Sequence, residues 1–181
     1  AAAEIAKQVG LDQIITLDIG GTTAKTGIME NGEPSRTTEY EVGAGINLSS
    51  KLVKGAGYAI KLPFIDVSEI GAGGGSLVWF DRGNLMQVGP QSAGSVPGPV
   101  CYCSGGTQVT LTDALVTLGY INPNFLVGGA MKLDSERAGR ALDEQVCKRL
   151  NISRLEAAHG IHTIASSNML RAVKAVSTFR G

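Results

Sequence analysis

The stretch Asp18-Ile19-Gly20-Gly21-Thr22-Thr23 holds the residue types that an anion site needs, in the order that would build one. Glycines after a strand let successive backbone N–H groups converge on an anion, threonine hydroxyls add donors, and a strand-terminal carboxylate can hold Mg²⁺ directly or through water. The same residues also suit a plain β-hairpin whose glycines supply positive φ and whose aspartate caps the turn. A second cluster, Gly71, Gly73, Gly74 and Gly75 followed by Ser76, interrupts β-like sequence. Such a run is entropically unfavourable unless backbone must approach something closely. That something is either a ligand or a second backbone crossing the first.

Other chemistry-bearing residues are weaker candidates. In VTLTDALVTLG, Thr112 or Asp113 is placed to cap a short helix, with metal or water positioning as the alternative for Asp113. Cys101 and Cys103 have no cysteine or histidine nearby at ligand spacing. His159 and His162 stand three apart; His162 falls on an apolar helical stripe as a core histidine and His159 faces outward. Their spacing alone makes a poor zinc site.

The elements that must position these residues follow from local pattern. Ala1 to Val9 reads as an amphipathic helix stopped by Gly10. QIITLDIG is an apolar strand entering Gly20-Gly21, AKTGIME is its return, and Asn31-Gly32 is a tight hairpin turn. Thr37 to Val42 suits an edge strand, whereas Gly43 to Pro63 carries little signal. FIDVSEI is β-like, and SLVWF with LMQV makes a hairpin around Asp81-Arg82-Gly83-Asn84. Gly89 to Gly106, with three prolines and no periodicity, reads as a long ordered loop. Helices are expected over Thr112 to Leu118, over Ser135 to Leu150 with Ala138, Ala141, Leu142, Val146 and Leu150 on one face, and from a Ser153/Glu156 capping box towards Ser177. The last of these carries Leu155, Ala158, His162, Ala165, Met169, Ala172 and Val176 on one stripe.

Composition narrows the function classes. Sixteen basic residues balance sixteen acidic ones, so no net field draws the chain to nucleic acid or an anionic membrane. No apolar run reaches the roughly 20 residues that cross a bilayer. An odd number of cysteines, two of them too close for an easy disulfide, points to a reducing, cytoplasmic setting. At 181 residues one compact domain is the expectation. The abrupt helical start without Met reads as a piece of something longer.

The order of motifs resembles the hydantoinase A and 5-oxoprolinase family of ATP-dependent enzymes. It rests on DIGGT at Asp18, IGAGGGS at Ile70 to Ser76, VGPQSAGSVPGPVCY at Val88 to Tyr102 and LTDALVTLGYINPNFLVGGAMKLD at Leu111 to Asp134, continuing through EAAHGI at Glu156 and SNMLRAVKAVSTFRG. The resemblance implies an α/β chain that forms part of a ribonuclease-H-like, actin-like ATPase lobe, with a mixed sheet and packed helices. One DIGGT occurs and no later adenosine motif follows, so residues 1–181 read as a single incomplete lobe. It implies ATP and Mg²⁺ as cofactors, with Gly20, Gly21, Thr22 and Thr23 holding phosphate, Gly73, Gly74, Gly75 and Ser76 lining the cleft, and Asp18 as metal ligand. Lys25 stands where many relatives have Asp, so a carboxylate is replaced by a phosphate-pairing cation there. The implied substrate is a cyclic amide, of hydantoin or 5-oxoproline type, opened by phosphorylation of the lactam oxygen. A ketone carboxylase subunit and a non-catalytic nucleotide-binding or assembly lobe are the alternatives, and a sugar-kinase-like phosphotransferase a third. The implied partner is the remainder of a parent chain or a second subunit, and this chain alone is expected to turn over nothing.

Overall fold

The computed structural model describes residues 1–38, 40–42 and 58–178. They are α/β, and every strand pairing among them is antiparallel. The expected mixed sheet is therefore not what these residues form: their strands are joined mainly as hairpins and local returns, which pair antiparallel. The chain divides into two compact units: Ala1–Ile19, Thr23–Ile70 and Met169–Gly181 in one, Gly20–Thr22 and Gly71–Asn168 in the other.

The first unit opens with helix α1 (Ala2–Val9), ended by Gly10 at φ 70° as the glycine stop predicted. Strand β1 (Ile14–Ile19) pairs with β2 (Ala24–Glu30) through Ile14↔Met29 to Ile19↔Ala24. Asn31 and Gly32 both take positive φ, and β3 (Glu33–Pro34) returns along β2. Strands β4 (Arg36–Thr37) and β5 (Tyr40–Val42) are separate pieces with separate partners, β7 (Phe64–Ile65) and β6 (Tyr58–Ile60), so Thr37 to Val42 is not one edge strand. Strand β8 (Val67–Ile70) joins the other side of β2. Most of Gly43 to Pro63, for which the sequence carried little signal, lies outside the described residues.

Ala24, Thr26 and Met29 of β2 are buried, as are Ser68 of β8 and Met169 and Ala172 of the long C-terminal helix. Ile15, Leu17 and Ile19 of β1 are about half exposed. No strand pairs with the outer side of β1 among the described residues.

The second unit holds the hairpin β9 (Ser76–Phe80) and β10 (Met86–Ser92). β10 runs three residues beyond Gly89, with an irregularity in pairing between Val88 and Ser92, so the proline-rich loop begins later than expected. The rest of that loop is packed in part: Gly98, Pro99, Val100 and Cys101 are buried and Val100–Tyr102 forms a 3₁₀ turn, whereas Gly94–Pro97 are exposed. Helix α2 (Leu111–Thr117) follows, then α3 (Ser135–Leu142), a π turn over Asp143–Cys147 and α4 (Lys148–Leu150), which together fill the helical span predicted as one element. Helix α5 (Arg154–Val176) starts at the predicted Ser153/Glu156 capping box, where the Glu156 carboxylate accepts from the Ser153 N–H at 2.9 Å. The core of this unit gathers Val109, Leu142, Val146, Ala157, Ala158 and Ile161, all inaccessible to solvent. Leu155, placed on the apolar stripe by spacing, is exposed.

Candidate phosphate turn

The second unit brings the two glycine clusters together, which no sequence pattern indicated. The Gly74 N–H donates to the Gly20 carbonyl at 3.0 Å and the Gly75 N–H to the Gly21 carbonyl at 2.6 Å. A Cβ on Gly73 would stand 2.6 Å from the Gly20 oxygen and 2.8 Å from the Gly21 carbonyl. On Gly75 it would meet the Ser92 hydroxyl at 2.8 Å and the Gly21 oxygen at 2.9 Å. Neither glycine takes a positive φ, so close approach of two backbones is what glycine provides there.

Within the Gly73–Ser76 segment the remaining donors are also engaged. The Gly73 N–H donates to the Ser76 hydroxyl at 2.9 Å, and the Ser76 N–H to the Gly73 carbonyl at 3.0 Å.

The first cluster has the opposite polarity. In a trans peptide the carbonyl and the following N–H point in opposite directions. Because the Gly20 and Gly21 carbonyls face Gly74 and Gly75, the N–H groups of Gly21 and Thr22 face away from them. Neither N–H has a hydrogen-bond acceptor among the described residues, and Gly21 and Thr22 are exposed. A Cβ on Gly21 would meet nothing within 4 Å, and its φ is ordinary. Nothing among the described residues therefore demands glycine at 21, and the hairpin explanation based on positive φ does not apply to it. Two adjacent N–H groups are thus left without a protein acceptor among the described residues, beside open space at Gly21.

The flank of the turn is polar. The Ser92 hydroxyl lies 3.4 Å from the Thr22 hydroxyl and accepts from the Gly94 N–H at 3.1 Å. Behind the turn, Thr112 donates twice to the Gly74 carbonyl, from its N–H and from its hydroxyl, each at 2.8 Å.

Thr112 does not cap α2, as the sequence had suggested. Thr110 is the N-cap and Asp113, three residues on, completes a capping box. Asp113 is inaccessible to solvent, and its carboxylate accepts from the N–H groups of Val100, Cys101 and Thr110 and from the Thr110 hydroxyl, at 2.8 to 3.2 Å. It ties the proline-rich loop to the start of α2. Burial, reinforced by the charge of Asp113, pushes the neighbouring Cys101 thiol far above its ordinary range. Cys103 is exposed.

The other sequence candidates take no part in the hydrogen bonds just described. Asp18 belongs to the first unit, is exposed and is the register partner of Lys25; its carboxylate has no hydrogen bond or ion pair among the described residues. Thr23, half-buried, also belongs to the first unit. His162 is not a core residue: it is half-buried with its ring edge-on to exposed Tyr120 at 5.5 Å, and His159 is exposed. No group of three or more metal-ligating side chains occurs among the described residues, and no helix there is long and apolar enough to cross a membrane.

Comparison with known proteins agrees with the order of motifs. The family model described as Hydantoinase/oxoprolinase matches residues 1–181, and the chain belongs to that family. It is 41% identical to an uncharacterised protein of Methanocaldococcus jannaschii over 181 residues, which are all of this chain and 26% of that one. It is 36% identical to the caprolactamase alpha subunit of Pseudomonas jessenii over 98% of this chain and 24% of that one. The crystal structure of that ATP-dependent caprolactamase superposes with a TM-score of 0.81, covering 99% of this chain and 24% of that one. A nucleotide-free structure of acetone carboxylase, from work on ATP-dependent acetone carboxylation, superposes with a TM-score of 0.80 at 28% identity, again covering 99% of this chain and 24% of the other. The chain thus spans about a quarter of the length of these two curated relatives.

Proposed function

We propose that this chain carries a phosphate-binding turn of an ATP-using enzyme that opens a cyclic amide of the hydantoin or 5-oxoproline class. The observation that carries the reading is the pair of outward N–H groups at Gly21 and Thr22, over a space that a Cβ at Gly21 would begin to fill. Residues of this kind fit a nucleotide phosphate: backbone donors, a flanking hydroxyl pair and no bulk.

A bound Mg·ATP would supply phosphoryl transfer to the lactam oxygen, activating the ring carbonyl carbon so that water adds there, the C–N bond breaks with the ring nitrogen leaving, and the acyl phosphate is then hydrolysed. The chain's own part is positional. Gly21 and Thr22 hold a phosphate oxygen by N–H donation, and the Thr22 hydroxyl, steadied by Ser92, adds a side-chain donor. Gly73, Gly74, Gly75 and Ser76 act from behind, fixing the two carbonyls of the turn so that its N–H groups stay outward. Asp18 as a Mg²⁺ ligand and Thr23 as a further phosphate donor are proposed from the sequence pattern alone. In this reading residues 1–181 are part of a ribonuclease-H-like lobe of an actin-like ATPase, completed by further chain or by a partner subunit.

The near-equal superposition on acetone carboxylase supports a second reading, a ketone carboxylase subunit, in which the same turn serves the same nucleotide. Turnover by the family-length protein with ATP and Mg²⁺ separates the two: lactam opening supports the first, and ketone consumption that requires bicarbonate supports the second. Neither activity, with nucleotide binding retained, leaves a non-catalytic nucleotide-binding lobe. At the level of the turn, the Gly21→Asp variant is expected to abolish nucleotide binding, and binding that survives it refutes the phosphate assignment.

A further inference from the structure

We infer that Thr112, which no motif marked for this role, is a positioning residue that sets the donor strength of one particular N–H in the phosphate turn, that of Thr22. The inference rests on the phosphate reading of the turn. It starts from the connectivity of whole peptide groups. Thr112 donates its N–H and its hydroxyl to the Gly74 carbonyl; the other end of that peptide is the Gly75 N–H, which donates to the Gly21 carbonyl. The other end of the Gly21 peptide is the outward Thr22 N–H. A second chain runs beside it from the Ser76 N–H through the Gly73–Gly74 peptide to the Gly20 carbonyl, and so ends at the outward Gly21 N–H.

Hydrogen bonds linked through peptide groups polarise one another, so a donor at the head of the chain strengthens the N–H at its tail. The two chains have different heads. The Gly21 chain is headed by one backbone N–H, whereas the Thr22 chain is headed by two donors from one residue, which together use both lone pairs of the Gly74 oxygen. The hydroxyl of Thr112 has no task in capping, because Thr110 and Asp113 perform it. Thr112 is buried, and a Cβ on Gly74 would stand 2.7 Å from its hydroxyl, so residue 74 must be small for this head to form. A valine at 112 keeps shape and N–H and removes the hydroxyl alone.

The test is an amide NMR titration of the 181-residue chain with inorganic pyrophosphate and Mg²⁺, for the native sequence, Thr112→Val and Thr112→Ser. In the native chain the Gly21 and Thr22 amide protons should move downfield as pyrophosphate is added. Without ligand, Thr112→Val should shift the Gly75 and Thr22 amide protons upfield and leave Gly21 in place, and its affinity for pyrophosphate should fall about fivefold, the equivalent of one hydrogen bond. Thr112→Ser should restore both shifts and bring affinity back to within about twofold of native. Native amides that ignore pyrophosphate overturn the phosphate assignment and the inference with it. Native amides that respond, with Thr22 shift and affinity unchanged in Thr112→Val, overturn the inference alone. Should Thr112→Val not fold, the native chain still decides: a through-hydrogen-bond coupling between the Gly75 nitrogen and the Gly21 carbonyl carbon is required, and its absence overturns the relay.

Discussion

The two glycine clusters are alike in composition and opposite in use. Gly73 and Gly75 are glycine because another backbone lies where a side chain would be; Gly21 is glycine where nothing of the fold would touch a side chain. One cluster turns its N–H groups onto protein oxygens, and the other turns its carbonyls inward and leaves the Gly21 and Thr22 N–H groups without a protein acceptor among the described residues. A glycine run is therefore not itself the mark of a ligand. What separates the two clusters is whether the described residues need the glycine.

Substitution can break that contrast. The largest effect is expected at Gly73, where alanine forces two backbones apart: Gly73→Ala should lower unfolding free energy by about 3 kcal/mol in a denaturant titration. A loss under about 1 kcal/mol means that the crossing yields easily and that the clusters are less different than they look.

Next comes the tie between the proline-rich loop and α2. Asp113→Asn exchanges one acceptor oxygen for a donor among four converging donors, and should lower stability by about 2 kcal/mol. The same variant removes the charge that helps hold the Cys101 thiol protonated. Native Cys101 should resist alkylation at pH 8 while exposed Cys103 reacts, and Asp113→Asn should raise the Cys101 rate; equal native rates for the two thiols count against the packed loop.

The smallest stability effect is expected at the outward turn. Gly21→Asp should change unfolding free energy by no more than about 0.5 kcal/mol, since its side chain meets open space. Yet it should weaken pyrophosphate binding by about tenfold or more, because a carboxylate then faces the anion. A large loss of stability would show that residue 21 is structural after all.

Much of the scaffold was legible because its signals are local. The β1–β2 hairpin, its Asn31-Gly32 continuation, the Gly10 stop and the Ser153/Glu156 box each depend on residues within a few positions of one another. The site was only half legible. Gly20 and Gly21 advertise a turn, but a glycine has no side chain to indicate that its partner lies more than 50 residues away. Of the two cap candidates, Asp113 does take part in the capping box but Thr112 does not, because Thr110 and Thr112 have equal claims by type and only the fold decides which hydroxyl faces the helix and which faces Gly74. The division of the helical span 135–150 by a π turn left no trace in the apolar face, of which Ala138, Ala141, Leu142 and Val146 are buried and Leu150 is half-buried.

That π turn also constrains how the chain can vary in length. Gln145 sits within it and grips the preceding segment at both ends: its amide N–H donates to the Thr107 carbonyl at 2.7 Å, and its oxygen accepts from the Val109 N–H at 3.1 Å. Residues 107 to 109 lead straight into the Thr110 cap. Each residue added to or removed from a helix swings everything beyond it by about 100°. Exchanging exposed Glu144 for alanine leaves the count, and so the grip of Gln145, unchanged; deleting it does not. Side by side, those two variants would display a segment lenient about spelling and strict about number, where one missing codon does what many altered ones do not.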